Sequence, residues 1–196
     1  STAMAKLVVR NGASAVIAEG GESGGHVGEL TTMVLVPQVC DVVDVPVIAA
    51  GGIADGRGMA AAFYLGAAGV QMGTAFLVAK ECNVHQNYKE KVLKAKDIDT
   101  MTTGKRLGHP VRVLKNPFSR EYAELEYDSS IADEQLEQFG AGALRRAAVE
   151  GDVQQGSFMC GQIAGMIHEE RTAAQIITGI MTQTEQILTG GCPWVR

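Results

Sequence analysis

Three short apolar runs, each leading directly into a glycine-rich loop, are the strongest guide to the fold of this chain. They occupy residues 15–18, 45–50 and 69–72 and read AVIA, VPVIAA and GVQM. Continuous apolar character is typical of parallel strands that are buried on both faces. The runs begin near residues 14, 45 and 70, a spacing of 31 and 25 residues, against about 31 residues per unit in an eightfold β/α barrel. The pattern predicts parallel strands joined by crossover helices.

We therefore expect an α/β fold, specifically the C-terminal part of a TIM (β/α)8 barrel with about three βα units and a mainly helical C-terminal extension. Helices are predicted at residues 2–11, 58–65 and 75–81, and one between 31 and 43 that starts near Val34 because Pro37 tolerates only a first turn. From residue 85 onward we predict helices and no further buried strand, although residues 100–114 have extended character. Thr172 is the predicted N-cap of a final helix over 172–188. The predicted division is 1–84 for the barrel units, 85–165 for a substrate-side subdomain and 166–196 for the C-terminal helix and tail.

Composition excludes several classes of function. Lys and Arg number 17 and Asp and Glu 22, giving a net charge of −5, and aromatic residues are only 5%. A net-acidic chain without a basic block is a poor candidate for binding nucleic acid or an anionic membrane surface. No apolar run reaches the ~18 residues that span a membrane. The four cysteines are far apart and form no CxxC pair, which favours reduced thiols in a cytoplasmic protein without a bound metal.

Two of the glycine loops have the composition of a phosphate site. Gly51 and Gly52 follow the second apolar run, and Gly73 and Thr74 follow the third. Glycines let backbone N–H groups approach phosphate oxygens, and a helix that follows can present its N-terminus. Two such loops on successive strands favour phosphate binding over simple tight turns.

His26 and Glu19 are the titratable candidates at the same end of the predicted strands. His26 lies in a loop rich in glycine and titrates near neutral pH, which suits a proton donor or acceptor; a histidine satisfied by the loop backbone is the equal alternative. Glu19 closes the first strand and either faces the site or forms an ion pair at the barrel rim. We interpret His85 and His168 as solvent-facing, and His109 as structural, although it could border a pocket.

With these loops in view, the sequence resembles the FMN-dependent enoyl-acyl-carrier-protein reductases of bacterial type II fatty-acid synthesis. The segments AVIAEGGESGGHVGELTT, VPVIAAGGIADGRGMAAAF and GAAGVQMGTAFL carry the resemblance, and LGHPVRVLKNPF and GALRRAAVEGDVQQGSFMCGQIAG extend it to about Leu188. The wider superfamily includes the nitronate monooxygenases, which share the barrel and the flavin site. The ESGGH loop, the lysine-rich helix near residue 90 and the LGHPVRVL segment favour the reductase.

The resemblance implies a hydride relay in which NADH reduces FMN and the reduced flavin passes hydride to the β-carbon of a trans-2-enoyl thioester. It implies that His26 is the catalytic residue that supplies a proton or polarises the thioester. It also implies that FMN is held by residues of the three strand-end loops and, with a weaker match, of the C-terminal region: Glu19, Ser23, Gly24, Gly25, Gly51, Gly52, Gln71, Gly73, Thr74 and Gln162.

Two alternatives stay open. A nitronate monooxygenase would use the same histidine as a base and FMN with O2, and the chain could be an inactive fragment that lacks the earlier strands. The reductase hypothesis implies an enoyl-acyl-carrier-protein or enoyl-CoA substrate, and we expect a homodimer. A lysine-rich face is the candidate docking patch for an acidic carrier protein: Lys89, Lys91, Lys94 and Lys96.

Overall fold

The computed structural model describes residues 1–190, so residues 191–196 of the predicted C-terminal tail lie outside the described residues. The elements are α1 (Thr2–Arg10), β1 (Val16–Glu19), β2 (Gly25–His26), α2 (Thr32–Cys40), β3 (Val47–Ala50), α3 (Gly56–Tyr64), β4 (Gly69–Gln71), α4 (Thr74–Leu77), α5 (Gln86–Leu93), β5 (Thr100–Thr103), β6 (Val111–Leu114), α6 (Pro117–Tyr127), α7 (Asp133–Gly140), α8 (Ala143–Arg145) and α9 (Ala173–Thr189). A π-helical turn at Arg146–Glu150 follows α8, and a 3-10 helix at Gln162–Met166 precedes α9.

The three apolar runs form one parallel sheet in the order β1-β3-β4. Ile17 pairs with Ile48 and Ala49 pairs with Val70, so the carboxyl ends of all three strands meet at one edge. The prediction that the strands are buried on both faces is wrong for β1 and β4. In β1, Val16 and Ala18 are buried while Ile17 is 53% exposed, and none of the three residues of β4 is buried. The physical reason is that nothing in residues 1–190 covers the face of the sheet on which Ile17 lies.

Helices cover the other face of this sheet. The strand residues Val16, Ala18 and Val47 pack in one apolar cluster with side chains from α2, α3 and α9. Helix α9 lies so close to α3 that a Cβ added at Gly56 would be 2.6 Å from the backbone nitrogen of Thr184. The final helix therefore belongs to the same packed layer as the strand–helix repeat, although it follows that repeat by about 100 residues of chain.

The extended character predicted for residues 100–114 is confirmed by β5 and β6, but the prediction of no further buried strand after residue 85 is wrong, since Val113 and Leu114 of β6 are buried. A second sheet, antiparallel and in the order β2-β6-β5, combines part of the His26 loop with the segment near residue 110. His26 pairs with Val111 and therefore lies in a strand rather than a free loop. Strand β2 has only two residues, and its partner is distant in sequence, which is why periodicity gave no signal for it.

Several predicted helix bounds also change. Helix α2 begins at Thr32 and ends at Cys40, with Pro37 inside it. Proline removes one backbone donor, but Leu35, Val36 and Val39 of this helix are buried against the sheet, and that packing holds the helix together. Helix α4 is shorter than predicted, and the chain after α8 is π-helical over Arg146–Glu150. In the described residues, none of the helices combines the length and apolarity needed to cross a membrane. The predicted domain boundaries stay a prediction.

Candidate functional site

A cavity of about 380 Å³ lies at the carboxyl ends of β1, β3 and β4. All of the predicted cofactor-binding residues except Gln162 line it: Glu19, Ser23, Gly24, Gly25, Gly51, Gly52, Gln71, Gly73 and Thr74. Its lining also includes residues that sequence reasoning missed: Glu22, Ile53, Met72, Leu77, Tyr88, Leu144, Met159, Gly161 and Ile163. The strand-end loops are therefore brought together as expected, and the later half of the chain supplies a wall that was not expected.

Glycine is required in these loops by close backbone approach. Gly51 and Gly52 have φ of 88° and 71°, a region that side chains rarely adopt. A Cβ at Gly51 would be 2.8 Å from the carbonyl oxygen of Gly20, and a Cβ at Gly24 would be 2.6 Å from the backbone of Cys160 and Gly161. The loops thus expose main chain, not side chain, toward the cavity, which is the geometry that oxygen-rich ligands require.

Glu22 organises the loop after β1. Its carboxylate accepts hydrogen bonds from the Thr32 backbone N–H at 2.9 and 3.0 Å and from the Thr32 hydroxyl at 3.0 Å. The Thr32 hydroxyl also lies 2.9 Å from the carbonyl oxygen of Gly51, so this pair links the loops after β1 and β3 at the start of α2. A carboxylate next to the first turn of a helix is favoured by the helix dipole. The only sequence signal was an acidic residue inside a glycine-rich loop.

The second sheet and the C-terminal loop hold the same segment from the other side. The Arg112 guanidinium donates to the carbonyl oxygen of Gly21 at 2.9 and 3.1 Å. Burial lowers the pKa of Arg112, and the nearby Glu22 carboxylate opposes that effect. Gln162 N–H donates to the Glu22 carbonyl oxygen at 2.9 Å, and Gly161 N–H donates to the Thr74 hydroxyl at 2.9 Å.

Among residues 1–190, Ser23 is the one residue of this cavity with a buried side-chain polar atom that makes no hydrogen bond. Its hydroxyl oxygen is buried and has no hydrogen-bond partner there. A buried hydroxyl without a partner costs free energy. The structure therefore provides both a main-chain cradle and an orphaned hydroxyl at one cavity, and these residues fit a phosphate-bearing cofactor such as FMN.

The expectation that the helix after Gly51 and Gly52 presents its N-terminus is wrong. Asp55 is the N-cap of α3, and its carboxylate accepts from the Arg57 N–H at 2.9 Å and the Gly58 N–H at 3.4 Å. The Gly56 N–H donates to the Gln183 side-chain oxygen at 2.7 Å. These donors are already occupied, so the loop amides rather than this helix are available to an anion.

His26 and Gln162 do not line this cavity. The His26 side chain is exposed on β2, and its ring centroid is 6.4 Å from that of His109 in an edge-to-face arrangement. Gln162 lies in a neighbouring pocket of about 750 Å³ that also contains Lys105 and Arg112. His109, which we interpreted as structural, borders a third pocket. The predicted roles of His26 and Gln162 stay predictions.

Tyr88 lines the cavity, whereas Cys160 is fully buried and does not line it. The Tyr88 hydroxyl donates to the Met159 carbonyl oxygen at 2.6 Å, and burial raises the pKa of Tyr88 well above its usual range. Burial also raises the pKa of the Cys160 thiol, to about 12. Both groups are neutral at physiological pH, so neither serves as a base or a thiolate nucleophile.

The predicted lysine-rich docking patch is not a continuous charged surface. Lys89 is 5% exposed, and its ammonium donates to the Ala79 carbonyl oxygen at 2.7 Å. The Lys91 ammonium lies 5.3 Å from the centre of the Phe158 ring, and Lys94 pairs with Glu90 at 3.0 Å. Lys89 is therefore buried and Lys91 half-buried on different sides of α5, whereas Lys94 and Lys96 are exposed. The docking role of this face stays a prediction.

The chain is similar to several known proteins and solved structures. The chain is 39% identical over 189 residues to a probable nitronate monooxygenase of Staphylococcus saprophyticus, covering 90% of this chain and 52% of that protein. It matches a structure of FabK from Thermotoga maritima at 54% identity and a TM-score of 0.93, covering 97% of this chain and 60% of the other. It matches a nitroalkane oxidase from Streptomyces ansochromogenes at 30% identity and a TM-score of 0.82, covering 97% and 57%.

The chain spans about half the length of the curated relatives it matches. The model of the nitronate monooxygenase family matches residues 1–183, which include all three strand-end loops and the wall that the later residues supply. This chain belongs to the nitronate monooxygenase family.

Proposed function

We propose that this chain is the C-terminal part of an FMN-dependent, NADH-linked reductase of trans-2-enoyl thioesters, built on a β/α barrel. FabK is the flavoprotein type of enoyl-acyl-carrier-protein reductase that the sequence resembles. The observation that carries the proposal is the 54% identity to the FabK structure, against 30% to the nitroalkane oxidase. The proposal includes an acyl-carrier-protein or acyl-CoA thioester as substrate, a cytoplasmic location and a homodimer.

The cavity residues fit FMN in a definite way. The Gly51, Gly52, Gly73 and Thr74 main chain would hold the phosphate, and the Ser23 hydroxyl would donate to a cofactor oxygen and thereby lose its unsatisfied state. FMN, when bound, supplies the hydride that reaches the β-carbon of the thioester. The protein's own part is to orient the two reactants and to keep water out of the cavity.

We assign His26 the role of the general acid that donates a proton to the α-carbon. Its exposed ring, held on β2 by pairing with Val111, can exchange protons with solvent between turnovers. A general acid of this kind contributes typically 10²–10⁴-fold to the rate. We expect His26→Ala in the full-length enzyme to retain bound flavin and to lose turnover by about that factor. His85→Ala, at the N-cap of α5, is the control; equal turnover of His26→Ala and the parent would contradict the assignment.

The experiment that tests the function is an anaerobic flavin titration. The purified protein is loaded with FMN, and its visible absorbance is followed while NADH and then crotonyl thioester are added. Bleaching by NADH and recovery of the colour with the thioester are expected. A flavin absorbance that does not change when NADH is added would contradict the proposal.

Nitronate monooxygenase is the second candidate, because the family model and the curated relatives carry that name. In this alternative His26 acts as a base on the α-carbon of a nitroalkane, and O2 reoxidises the cofactor. The same titration separates the two, since a nitronate would then bleach the flavin and NADH would not.

A third possibility is that these residues are inactive without the remainder of the longer relatives. An intact mass of 20.7 kDa for the purified molecule, together with failure to retain FMN, would favour it. Retention of FMN by this chain would contradict it.

A further inference from the structure

A pocket of about 220 Å³ adjoins the glycine-lined cavity. Leu144 and Met159 line both spaces and form the common wall between them. The second pocket lies beneath the antiparallel sheet, with Val111 of β6 on one side and the short α8 on the other. The two spaces share an apolar wall, but only the second has an aromatic floor, which Phe118 and Tyr122 form.

The floor of this second pocket is an aromatic cluster. Phe118 and Tyr122 line the pocket and are 4% and 9% exposed. The Phe118 ring stacks on Phe139 at 5.2 Å, and Tyr122 packs against the same ring at 6.1 Å. Such a cluster, closed by the fully buried Leu136, is rigid and offers no charged partner to a ligand. An apolar ligand gains from leaving water there, whereas a charged one does not.

The pocket lies near the predicted proton donor His26, although His26 does not line it. His109 lines it, and the His109 ring is 6.4 Å from that of His26. A ligand that extends from the glycine-lined cavity past Met159 into this pocket would therefore have its reacting carbons near both the cofactor residues and His26. The pocket volume of about 220 Å³ has room for a chain of roughly six to eight carbons, taking about 30 Å³ per small group.

We propose that this second pocket is the alkyl-chain subsite, and that its occupant is the acyl chain of the thioester substrate. The inference rests on the proposed function, because it assumes that the bound alkyl chain belongs to a thioester substrate. The straight alkyl chain of a primary nitroalkane shares the same chemistry, and the experiment separates the two sources. The structure assigns the selection of chain length to the aromatic floor and to residues of the 143–159 segment.

The test measures binding rather than turnover. The 196-residue chain is titrated by calorimetry with butyryl, hexanoyl and octanoyl N-acetylcysteamine thioesters, and in parallel with nitrobutane, nitrohexane and nitrooctane. Each buried methylene is expected to tighten binding about fourfold, so each step of two methylenes gives about fifteenfold for the thioesters. Equal affinity for the three thioesters overturns the proposal, and so do nitroalkanes that bind as tightly as the thioesters.

Ser157→Leu is the diagnostic variant. Ser157 lines the pocket, and its side chain makes no hydrogen bond among the described residues that the substitution would break. Leucine there fills the space, so octanoyl thioester should bind no better than butyryl thioester. Ser157→Ala is the matched control and should keep the parent's dependence on chain length. An unchanged octanoyl affinity in Ser157→Leu overturns the assignment.

Two further readouts keep the result decisive. A circular-dichroism melt shows whether Ser157→Leu is folded; if it is not, Leu144→Asp, at a position already 44% exposed, takes its place and should also abolish the chain-length dependence. Because binding is measured, chain-length dependence without enoyl reduction contradicts the proposed function and supports the pocket. Flat affinities in a protein that does reduce enoyl thioesters contradict the pocket alone.

Discussion

At the scale of single residues, the loop between β1 and β2 concentrates the polar groups that hold the candidate site together. Glu22 and Thr32 connect the loops after β1 and β3, Arg112 binds the carbonyl of Gly21, and Ser23 has a buried hydroxyl without a partner in the described residues. Three of these four groups have satisfied hydrogen bonds. The fourth, the Ser23 hydroxyl, has no partner among the described residues, so a substitution there tests whether it contacts a ligand.

Ser23→Ala separates ligand binding from stability. Removing an unsatisfied buried hydroxyl should leave the thermal midpoint equal or higher, because no protein hydrogen bond is lost. A hydrogen bond to a charged ligand is typically worth about 1.5–3 kcal/mol, so FMN affinity should fall about tenfold or more. Quenching of flavin fluorescence measures that affinity. Ser14→Ala, at an exposed position before β1, is the control, and equal FMN affinity in Ser23→Ala and Ser14→Ala would show that Ser23 does not contact the cofactor.

Glu22→Gln should behave in the opposite way. The substituted amide puts an N–H group where a carboxylate oxygen now accepts from Thr32, and loss of hydrogen bonds to a charged acceptor costs about 1–3 kcal/mol of unfolding free energy. Urea denaturation measures the change. Glu29→Gln, at an exposed position between β2 and α2, is the matched control and should stay within about 0.5 kcal/mol of the parent. Equal destabilisation by the two variants would mean that the Thr32 contact contributes nothing specific.

At the scale of elements, the first N–H groups of α3 are already hydrogen-bonded within the protein and are not available to a ligand. Burial acts to raise the pKa of Asp55, but hydrogen bonds from the Arg57 side chain and from the backbone of Arg57 and Gly58 outweigh it and lower that pKa. The folded state therefore holds its proton less tightly than the unfolded state. The stabilisation is complete above the unfolded pKa of about 4 and is lost as the pH falls through the lower folded value.

A pH series on Asp55→Ala checks this sign. At neutral pH the variant should lose about 0.5–2 kcal/mol of unfolding free energy, the usual cost of removing an N-cap. The difference from the parent should shrink below about pH 4, because the parent's carboxylate then takes up a proton. Asp55→Asn, which caps without a charge, should show a smaller and less pH-dependent difference. A difference that grows toward low pH would contradict the capping role.

The same scale shows what could be predicted from sequence. The strands β1, β3 and β4 carry their own signal, because a local apolar run ending in glycine depends on nothing distant, and Thr172 caps α9 as its local sequence predicted. Strands β2, β5 and β6 show little local sequence signal, because they depend on pairing between distant segments, such as Gly25 with Arg112. The glycine cradle could be predicted for the same local reason. The hydrogen bonds between Glu22 and Thr32 could not be predicted, because the two residues come together only when α2 packs against the sheet.

At the scale of the whole molecule, the parallel sheet has two open edges. Strands β1 and β4 each have a single partner among residues 1–190, and Ile17 on β1 is 53% exposed. Longer relatives have about as much chain again. An exposed strand edge beside an apolar side chain favours pairing with another chain.

We expect this 196-residue chain to self-associate as its concentration rises, and Ile17→Lys to reduce that association, because charged side chains discourage edge pairing. Light scattering coupled to size exclusion measures the mass at each concentration. Met181→Lys removes a similarly exposed apolar side chain on α9, away from the sheet edge, and is the control. A mass that Ile17→Lys leaves unchanged would place any association elsewhere, such as on the helical faces of a homodimer.

The hydrogen bonds from Gly161 and Gln162 back to Thr74 and Glu22 have a consequence for how the protein is made on the ribosome. The β1 loop is synthesised well over a hundred residues before the segment that completes its cavity. At translation rates of about 5–20 residues per second, that delay is roughly 7–28 seconds. During this interval the nascent chain has its parallel strands but an open cavity wall. Cofactor loading should therefore be among the last events of biosynthesis, and a nascent chain that ends before Gly161 should not retain a ligand.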